Sequence, residues 1–566
     1  MKKILIYALA ALMLLGTVGM LASCGEPERV EATIVDGKYD PPINITWACP
    51  FIGINQGDID KHPNNWTTAD NDWTRLARDE YGINMELIWD VAEWGVYRER
   101  LNGQILAGQI PDFLNLGPDE GENKWATTYV KRLYEQDLIV PMTEEIRTYG
   151  HERYLEMLDN LGGDEALYAF TYNGEVYALP QIGYGNGSNT VYWIRQDWLN
   201  AVGKEVPTNY NELIDVIKAF TTGDPDKDGQ DNTFGLAINV ENAGVKANLF
   251  FNGWGAFPGI WLENEETGKL EYGSIQPEMK DAIGALRELY TGGFIVDLDT
   301  YASALNDGFY MCMTNGQCGV IEATSNYLQR FTGMKLMNPE FELVPTTGFS
   351  ANGEEFKLTG TGSHYRAYVV STNCASPAVA VILMNMFMEC EELAETDMAI
   401  KEKYHYSADG SSHYYNFAPA ITAYSELGSN QHEIVKEALE TGDTSGLTTQ
   451  GQVQLYNYVK KYLDQEGRDY INYWYWERMY GVDGAAGVYE TEPEKVRDLF
   501  QGASTDTMIL KLDDLTAALN VAVNEIITGV QELEYFDVAI QQWLEQGGQA
   551  ITDEVNAWYD LVKGNA

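Results

Sequence analysis

Between residues 43 and 116 short apolar runs alternate with helical repeats, and this alternation confines the chain to folds built on a sheet with helices packed against it. Residues 43–47 and 85–89 read as strands, with a helix over 73–81 between them. A second helix over 97–107 stops at Gly108, and Ile110-Pro111-Asp112 leads into a third strand, Phe113–Leu116. This order predicts an α/β lobe with a mostly parallel sheet flanked by helices.

Farther along, Gly174 to Pro180 reads as a turn, a strand and a stop. The Gly-rich run 182–188, ahead of a strand at 191–195, reads as a crossover into a second lobe. An amphipathic helix over 210–221 follows Val206-Pro207-Thr208, with Thr208 as the expected N-cap and Glu212 in the first turn. Helical spacing over 505–528, 536–546 and 552–562 makes the C-terminal part an extended helical region. The expected division is 44–185 with 361–430 for lobe 1, and 186–360 with 431–566 for lobe 2.

Ahead of these lobes, Lys2 and Lys3 precede an almost unbroken apolar stretch, and Leu21-Ala22-Ser23-Cys24-Gly25 sets small residues before a cysteine. This pattern reads as a lipoprotein export signal over 1–23. Cys24 would carry a diacylglycerol that anchors the chain to the outer face of a Gram-positive cell membrane. The apolar run is short for a spanning helix, the other reading of this segment. Residues 24–42, with Glu, Pro, Gly and Asp, are expected to form a flexible tether.

The 85 acidic and 37 basic residues give a formal net charge of −48, which disfavours a nucleic acid as ligand. Cys49, Cys312, Cys318, Cys374 and Cys390 show no CxxC or Cys/His spacing, which leaves room for one disulfide and argues against zinc.

One loop has the spacing of a metal site. The run Asp224-Pro225-Asp226-Lys227-Asp228-Gly229-Gln230-Asp231-Asn232-Thr233 places oxygen-bearing side chains at loop positions 1, 3, 5 and 9, with glycine at position 6. Asp224, Asp226, Asp228, Gln230 (through its carbonyl), Asn232 and Thr233 are the expected ligands of a structural calcium ion. Gly235 stands where an EF-hand has its bidentate glutamate, and a solvated acidic turn is the alternative.

Taken in order, the lipobox, Gly108-Gln109-Ile110-Pro111-Asp112, residues 173–180, Ile194-Arg195-Gln196-Asp197-Trp198-Leu199 and Pro207-Thr208 resemble the extracellular solute-binding lipoproteins of carbohydrate ABC importers. The acidic loop running into Thr233-Phe234-Gly235-Leu236 is similar to the subfamily related to alginate-oligosaccharide-binding proteins. So are Phe500-Gln501-Gly502, Asn524-Glu525-Ile526-Ile527-Thr528-Gly529 and Glu554-Val555-Asn556. Together these motifs cover nearly the whole chain. The resemblance implies a two-lobed periplasmic-binding-protein-like fold (type II), with a cleft that closes on an oligosaccharide. It also implies a monomer that delivers its ligand to the permease subunits of an ABC transporter. Asn232 stands where the subfamily often has aspartate, and the tract 470–476 is unusually aromatic.

A sugar cleft needs aromatic platforms together with polar groups that fix orientation. Trp66, Trp94, Trp254 and Trp474 sit in polar or Gly-rich context and are stacking candidates, the alternative being that a large core takes them. Tyr184 and Asn186 lie in the crossover. Asp112 is a candidate for sugar hydroxyls, or a cap; Arg366 is a candidate for an acidic sugar, or an ion-pair partner. The six histidines are scattered, and no HExxH, GxSxG or Cys–His signature demands catalysis. A surface hydrolase or lyase and a peptide receptor are the competing readings.

Overall fold

The computed structural model describes residues 33–50, 66–91, 93–117, 124–160, 163–182, 190–238, 247–297, 313, 315–324, 328–360, 364–407, 413–422, 431–464, 473–490 and 493–565. Cys24, Tyr184, Asn186 and residues 470–472 of the aromatic tract lie outside them.

The first described residues correct the expectation of a tether reaching to residue 42. They form a hairpin of β1 (Thr33–Val35) and β2 (Lys38–Asp40). Asp36 and Gly37 have φ values of 50° and 76°, the left-handed pair that a tight hairpin turn requires. The flanking alternation buries Tyr39, whose hydroxyl donates to Ser376 Oγ at 3.0 Å.

Lobe 1 is built on β3 (Ile43–Pro50), β4 (Ile83–Val91), β5 (Phe113–Leu116), β6 (Leu179–Ile182) and, from far later in the chain, β12 (His364–Val370), in the order β4-β3-β5-β12-β6. Lobe 2 is built on β7 (Thr190–Arg195), β8 (Phe234–Ile238), β9 (Ile295–Asp297), β10 (Cys318–Thr324) and β11 (Leu343–Thr346), in the order β9-β8-β10-β7-β11. Both sheets are mixed rather than mostly parallel. In each, three neighbouring strands are parallel, and the strand that arrives from the other lobe, β12 or β7, runs antiparallel to both its neighbours. A strand entering from beyond one end of a sheet has to run back through it, a reversal that hydrophobic patterning does not encode.

Local chemistry sets the connections. The helix Asp72–Tyr81 starts at Asn71, whose side chain accepts from the backbone N–H groups of Trp73 and Thr74. It ends at Gly82, with φ 67°, where a Cβ would lie 2.5 Å from the Tyr39 carbonyl oxygen. The helix Tyr210–Thr222 is capped by Asn209, which accepts from the Glu212 N–H, and not by Thr208. Thr208 instead donates through both its N–H and its hydroxyl to Glu212 Oε2.

Alternation along the lobe 2 strands sends Tyr192, Ile194, Leu236, Ile238 and Val320 to one face, and Trp193, Ala237, Ile321 and Leu343 to the other. The helices Asp506–Ile527, Tyr535–Trp543 and Gln549–Asn565 pack on the first face, and Gln450–Leu463 and Trp474–Tyr480 on the second. A separate core in lobe 1 gathers Trp47, Trp73, Phe113, Tyr368 and Phe387. Cys318, Cys374 and Cys390 are buried and free, so they act as small apolar residues. No helix among the described residues is long and apolar enough to cross a membrane.

Candidate functional site at the carboxyl edges of two sheets

In an open α/β sheet ligands bind beyond the carboxyl ends of the parallel strands. In lobe 1 that edge is marked by Leu116 at the end of β5, with Ala367 of β12 opposite it and Arg366 just beyond. The end of β6 reaches the same edge, where Gln181 lies opposite Arg366 and Ile182 opposite His364. In lobe 2, Thr190 at the start of β7 lies opposite Thr324 at the end of β10. Segment 183–189 therefore connects one carboxyl edge to the other, and 361–363 leads back into the first.

Arg366 is half-buried and Gln181 is 6 % exposed, with its Oε1 buried and without a hydrogen-bond partner among the described residues. Burial raises the Tyr415 phenol, and the nearby Arg366 cation opposes that shift. Tyr415 closes a half-buried aromatic trio with Tyr406 and His413, their ring centroids 5.4–5.9 Å apart. Sequence reading missed Gln181 and the trio, because the trio is assembled from both ends of segment 408–412.

At the lobe 2 edge, Glu322 stands opposite Tyr192 and is buried. Its Oε2 accepts from the Leu249 N–H at 3.1 Å, while burial pushes its carboxyl up to about 8. Glu322 in turn adds to the burial that holds the Tyr192 phenol far above its ordinary value.

Three ligand candidates are corrected by these positions. Trp66 is 2 % exposed, with its ring 5.2 Å from Tyr414 and 5.0 Å from Phe417, so it is core. Trp474 is 0 % exposed, donates its Nε1–H to Glu342 Oε2 at 3.0 Å and packs on Phe341, so it too is core. Asp112 sits at the start of β5, the end away from the carboxyl edge. There its carboxylate accepts from the N–H and hydroxyl of Thr46 at 2.8 and 2.7 Å, tying β3 to β5. Trp254 is half-buried and meets Tyr210 edge-on at 5.7 Å. Trp94 opens the helix Trp94–Leu106, just past the carboxyl end of β4. A recess of about 320 Å³ lies between Trp89, near the end of β4, and Arg100, Gln104 and Gln109.

The acidic loop lies between the helix Tyr210–Thr222 and the start of β8, hence at the opposite end of lobe 2 from the cleft. Ligand atoms of Asp224, Asp226 and Asp228 lie within 4.8 Å of one another. The Asp226 carboxyl is raised, first by burial and then by its two acidic neighbours. Asn232 donates to Asp228 Oδ2 at 3.0 Å, and its own Oδ1 is buried without a partner among the described residues. Three clustered carboxylates beside an orphaned amide oxygen form a hard-oxygen set that fits calcium. Gln230 is held to this cluster through Asp228, its N–H donating to Oδ1 at 2.7 Å. Thr233 faces away, since its buried hydroxyl donates to the Phe220 carbonyl at 2.9 Å. Gly235 then packs so close that a Cβ would fall 2.0 Å from the Ile217 carbonyl oxygen, which fixes the strand against the helix.

Two α/β lobes of matching strand order, joined through their carboxyl edges, define the two-lobed solute-binding fold. Among known proteins, the chain is 26 % identical over 293 residues to the polygalacturonan/rhamnogalacturonan-binding protein YtcQ of Bacillus subtilis, covering 51 % of each chain. It is 23 % identical over 304 residues to the fructooligosaccharide ABC transporter substrate-binding protein FusA of Streptococcus pneumoniae, covering 51 % of this chain and 52 % of FusA. It thus spans about half the length of these two relatives. Lipoprotein LipO of B. subtilis matches at 24 % over 432 residues, 72 % of this chain and 76 % of LipO. The solved structure of a solute-binding protein associated with an HMO-binding ABC transporter, from Bifidobacterium longum infantis, aligns with a TM-score of 0.59. Its sequence is 17 % identical, and the alignment covers 92 % of this chain and 99 % of that one. No protein-family profile matches the chain. The relatives FusA and YtcQ are named as binding proteins, not as enzymes.

Proposed function

We propose that this protein is the substrate-binding component of an ABC importer. It captures an oligosaccharide between the carboxyl edges of its two lobes and delivers it to a membrane permease. The observation that carries this reading is the junction itself: both sheets present their carboxyl edges to the same crossover, and a buried Gln181 amide oxygen, Arg366 and a half-exposed aromatic trio gather there. Rings can stack on C–H faces of a sugar, while the amide and guanidinium bond its hydroxyls or a carboxylate. In this reading Gln181, Arg366 and Tyr415 touch the ligand from lobe 1, with Trp94 at the lip and Tyr184 and Asn186 in the crossover. Trp254 belongs to the lobe 2 wall.

The protein works as a monomer, without catalytic activity, held to the outer face of the cell membrane through a lipid on Cys24. Calcium binds Asp224, Asp226, Asp228, the Gln230 carbonyl and Asn232 and stiffens lobe 2 at a distance from the sugar. The relationship to the alginate-oligosaccharide-binding subfamily rests on this loop and on the C-terminal motifs.

The test is a thermal-shift screen of the chain from Gly25, with calcium and then with chelator, against fructans, pectic fragments, other oligosaccharides and short peptides. A ligand bound only by the native state raises the melting temperature by mass action. A shift with one class of oligosaccharide supports the proposal. A shift with peptides alone, or shortened or unsaturated products after incubation, would overturn it.

A further inference from the structure

Apart from the crossovers, the two cores are linked at a place where lysine reaches from lobe 1 into lobe 2. Lys124 lies between the carboxyl end of β5 and the helix Trp125–Glu135, whose buried face belongs to the lobe 1 core. Its ammonium donates to Asp498 Oδ2 at 3.1 Å and to the Phe500 carbonyl, and it sits 4.5 Å from the centroid of the Phe500 ring. Phe500 belongs to the lobe 2 core. Both charged side chains are largely shielded, 16 % and 15 % exposed.

Neither end of this contact is explained by its own lobe. Lys124 occupies the N-cap position of its helix but makes no cap hydrogen bond. A cation there faces the positive end of the helix dipole, which is unfavourable within lobe 1. The Asp498 carboxylate is held in place from lobe 2, where its Oδ1 accepts from the N–H groups of Trp261 at 3.0 Å and Phe500 at 3.1 Å. Its second oxygen thus points at a preset position that, among the described residues, Lys124 of the other lobe fills. A second lysine on the same helix, Lys131, reaches Asp506 at 3.7 Å, but Asp506 is 91 % exposed and that pair is screened by water.

We infer that Lys124 is a positioning residue for the two lobes, a cationic clasp that docks in the Asp498–Phe500 socket and biases the ligand-free chain toward the lobe arrangement of this structure, in which the two are in contact. In a chain of net charge −48 the two lobes repel each other, and a shielded cation at their contact offsets that repulsion locally. This inference concerns the lobe arrangement alone and holds whatever ligand the cleft takes.

The experiment is small-angle scattering of the ligand-free chain from Gly25, comparing wild type with Lys124→Met, Lys124→Gln and Lys131→Met. Hydrogen exchange at the Trp261 and Phe500 amides is read alongside. The expected result is a larger radius of gyration for both Lys124 variants, a wild-type value for Lys131→Met, and unchanged exchange at the two amides, because the lobe 2 socket stays formed. Lys124→Gln keeps a polar end and decides the matter where Lys124→Met fails to fold. Unchanged scattering in the Lys124 variants would overturn the inference. So would equal expansion in Lys131→Met, since charge at any place on the helix would then suffice.

Discussion

The two lobes share a strand order and differ in what is attached to it. Each sheet has three parallel strands followed by one reversed strand that came from the other lobe, and each pairs a tyrosine of that strand with a polar residue of its parallel neighbour. The pairs are Tyr368 with Asn115 in lobe 1 and Tyr192 with Glu322 in lobe 2. The common plan follows from threading the chain between two sheets. Lobe 1 adds the N-terminal hairpin, whereas lobe 2 adds the acidic loop, the buried carboxyl of Glu322 and both sets of C-terminal helices. Lobe 2 is therefore expected to respond to calcium and to lose stability between pH 4.5 and about 8, the window that its raised carboxyl sets.

The largest effect expected on this comparison comes from Trp474→Ala, which leaves a cavity in the second face of lobe 2 and removes the Trp474 donor from Glu342 Oε2, while Lys335 and Tyr462 still hold Oε1. A loss of about 3–5 kcal/mol is expected. In hydrogen exchange, β8 and β10 should open faster while β3 and β5 keep wild-type protection; equal loss in both would show the lobes to be one cooperative unit.

Glu322 gives the next test. Its carboxyl is raised from an ordinary 4.5 to about 8. Folded lobe 2 therefore holds a proton that the unfolded chain releases. The contribution is complete below pH 4.5 and is lost as pH rises toward 8, with a slope of about 1.4 kcal/mol per pH unit. Glu322→Gln should flatten that part of the stability profile in urea melts, and a slope that survives the substitution would place its origin elsewhere. Asn115, the polar partner in lobe 1, carries no charge and produces no such slope.

Calcium comes third. At a free concentration of one hundred times Kd, the ion adds about 2.7 kcal/mol to the stability of whatever it binds. Chelation should therefore lower the melting temperature, and Asp228→Asn should remove the response, since Asp228 also holds Gln230 and Asn232. A chelator effect that persists in Asp228→Asn would mean a different site.

The smallest effects are at the helix caps. Asn71→Ala and Asn209→Ala should each cost about 1 kcal/mol. The lobe 1 substitution should cost more, because Asn71 is buried and bonds two backbone N–H groups, whereas Asn209 bonds one. Urea melts of the two variants check the order.

Much of this plan was legible in the residues. The strands Phe113–Leu116 and Phe234–Ile238 carry clear apolar runs between breakers, and Asp224 to Gly229 spells out its own turn. Three kinds of feature were not legible. The hairpin at Thr33–Asp40 was concealed because Asp36-Gly37 sits in a composition that reads as tether. The reversed direction of β7 and β12 depends on where the chain re-enters, which periodicity does not record. Trp66 and Trp474 look exposed from their neighbours in sequence, yet Tyr414, Phe417 and Phe341 enclose them from a distance. Asp112 shows the same limit, since a carboxylate at a strand end serves as tie or as ligand contact according to which end of the sheet it occupies.

The most direct measurement is hydrogen exchange of the chain with and without a tightly bound oligosaccharide. The account predicts new protection at both carboxyl edges together, over 179–195 and 364–368 with the Tyr406–Tyr415 trio in lobe 1 and at the end of β10 in lobe 2, while the acidic loop stays unchanged. Protection confined to one lobe, or centred on the acidic loop, would contradict a ligand held between the two sheets.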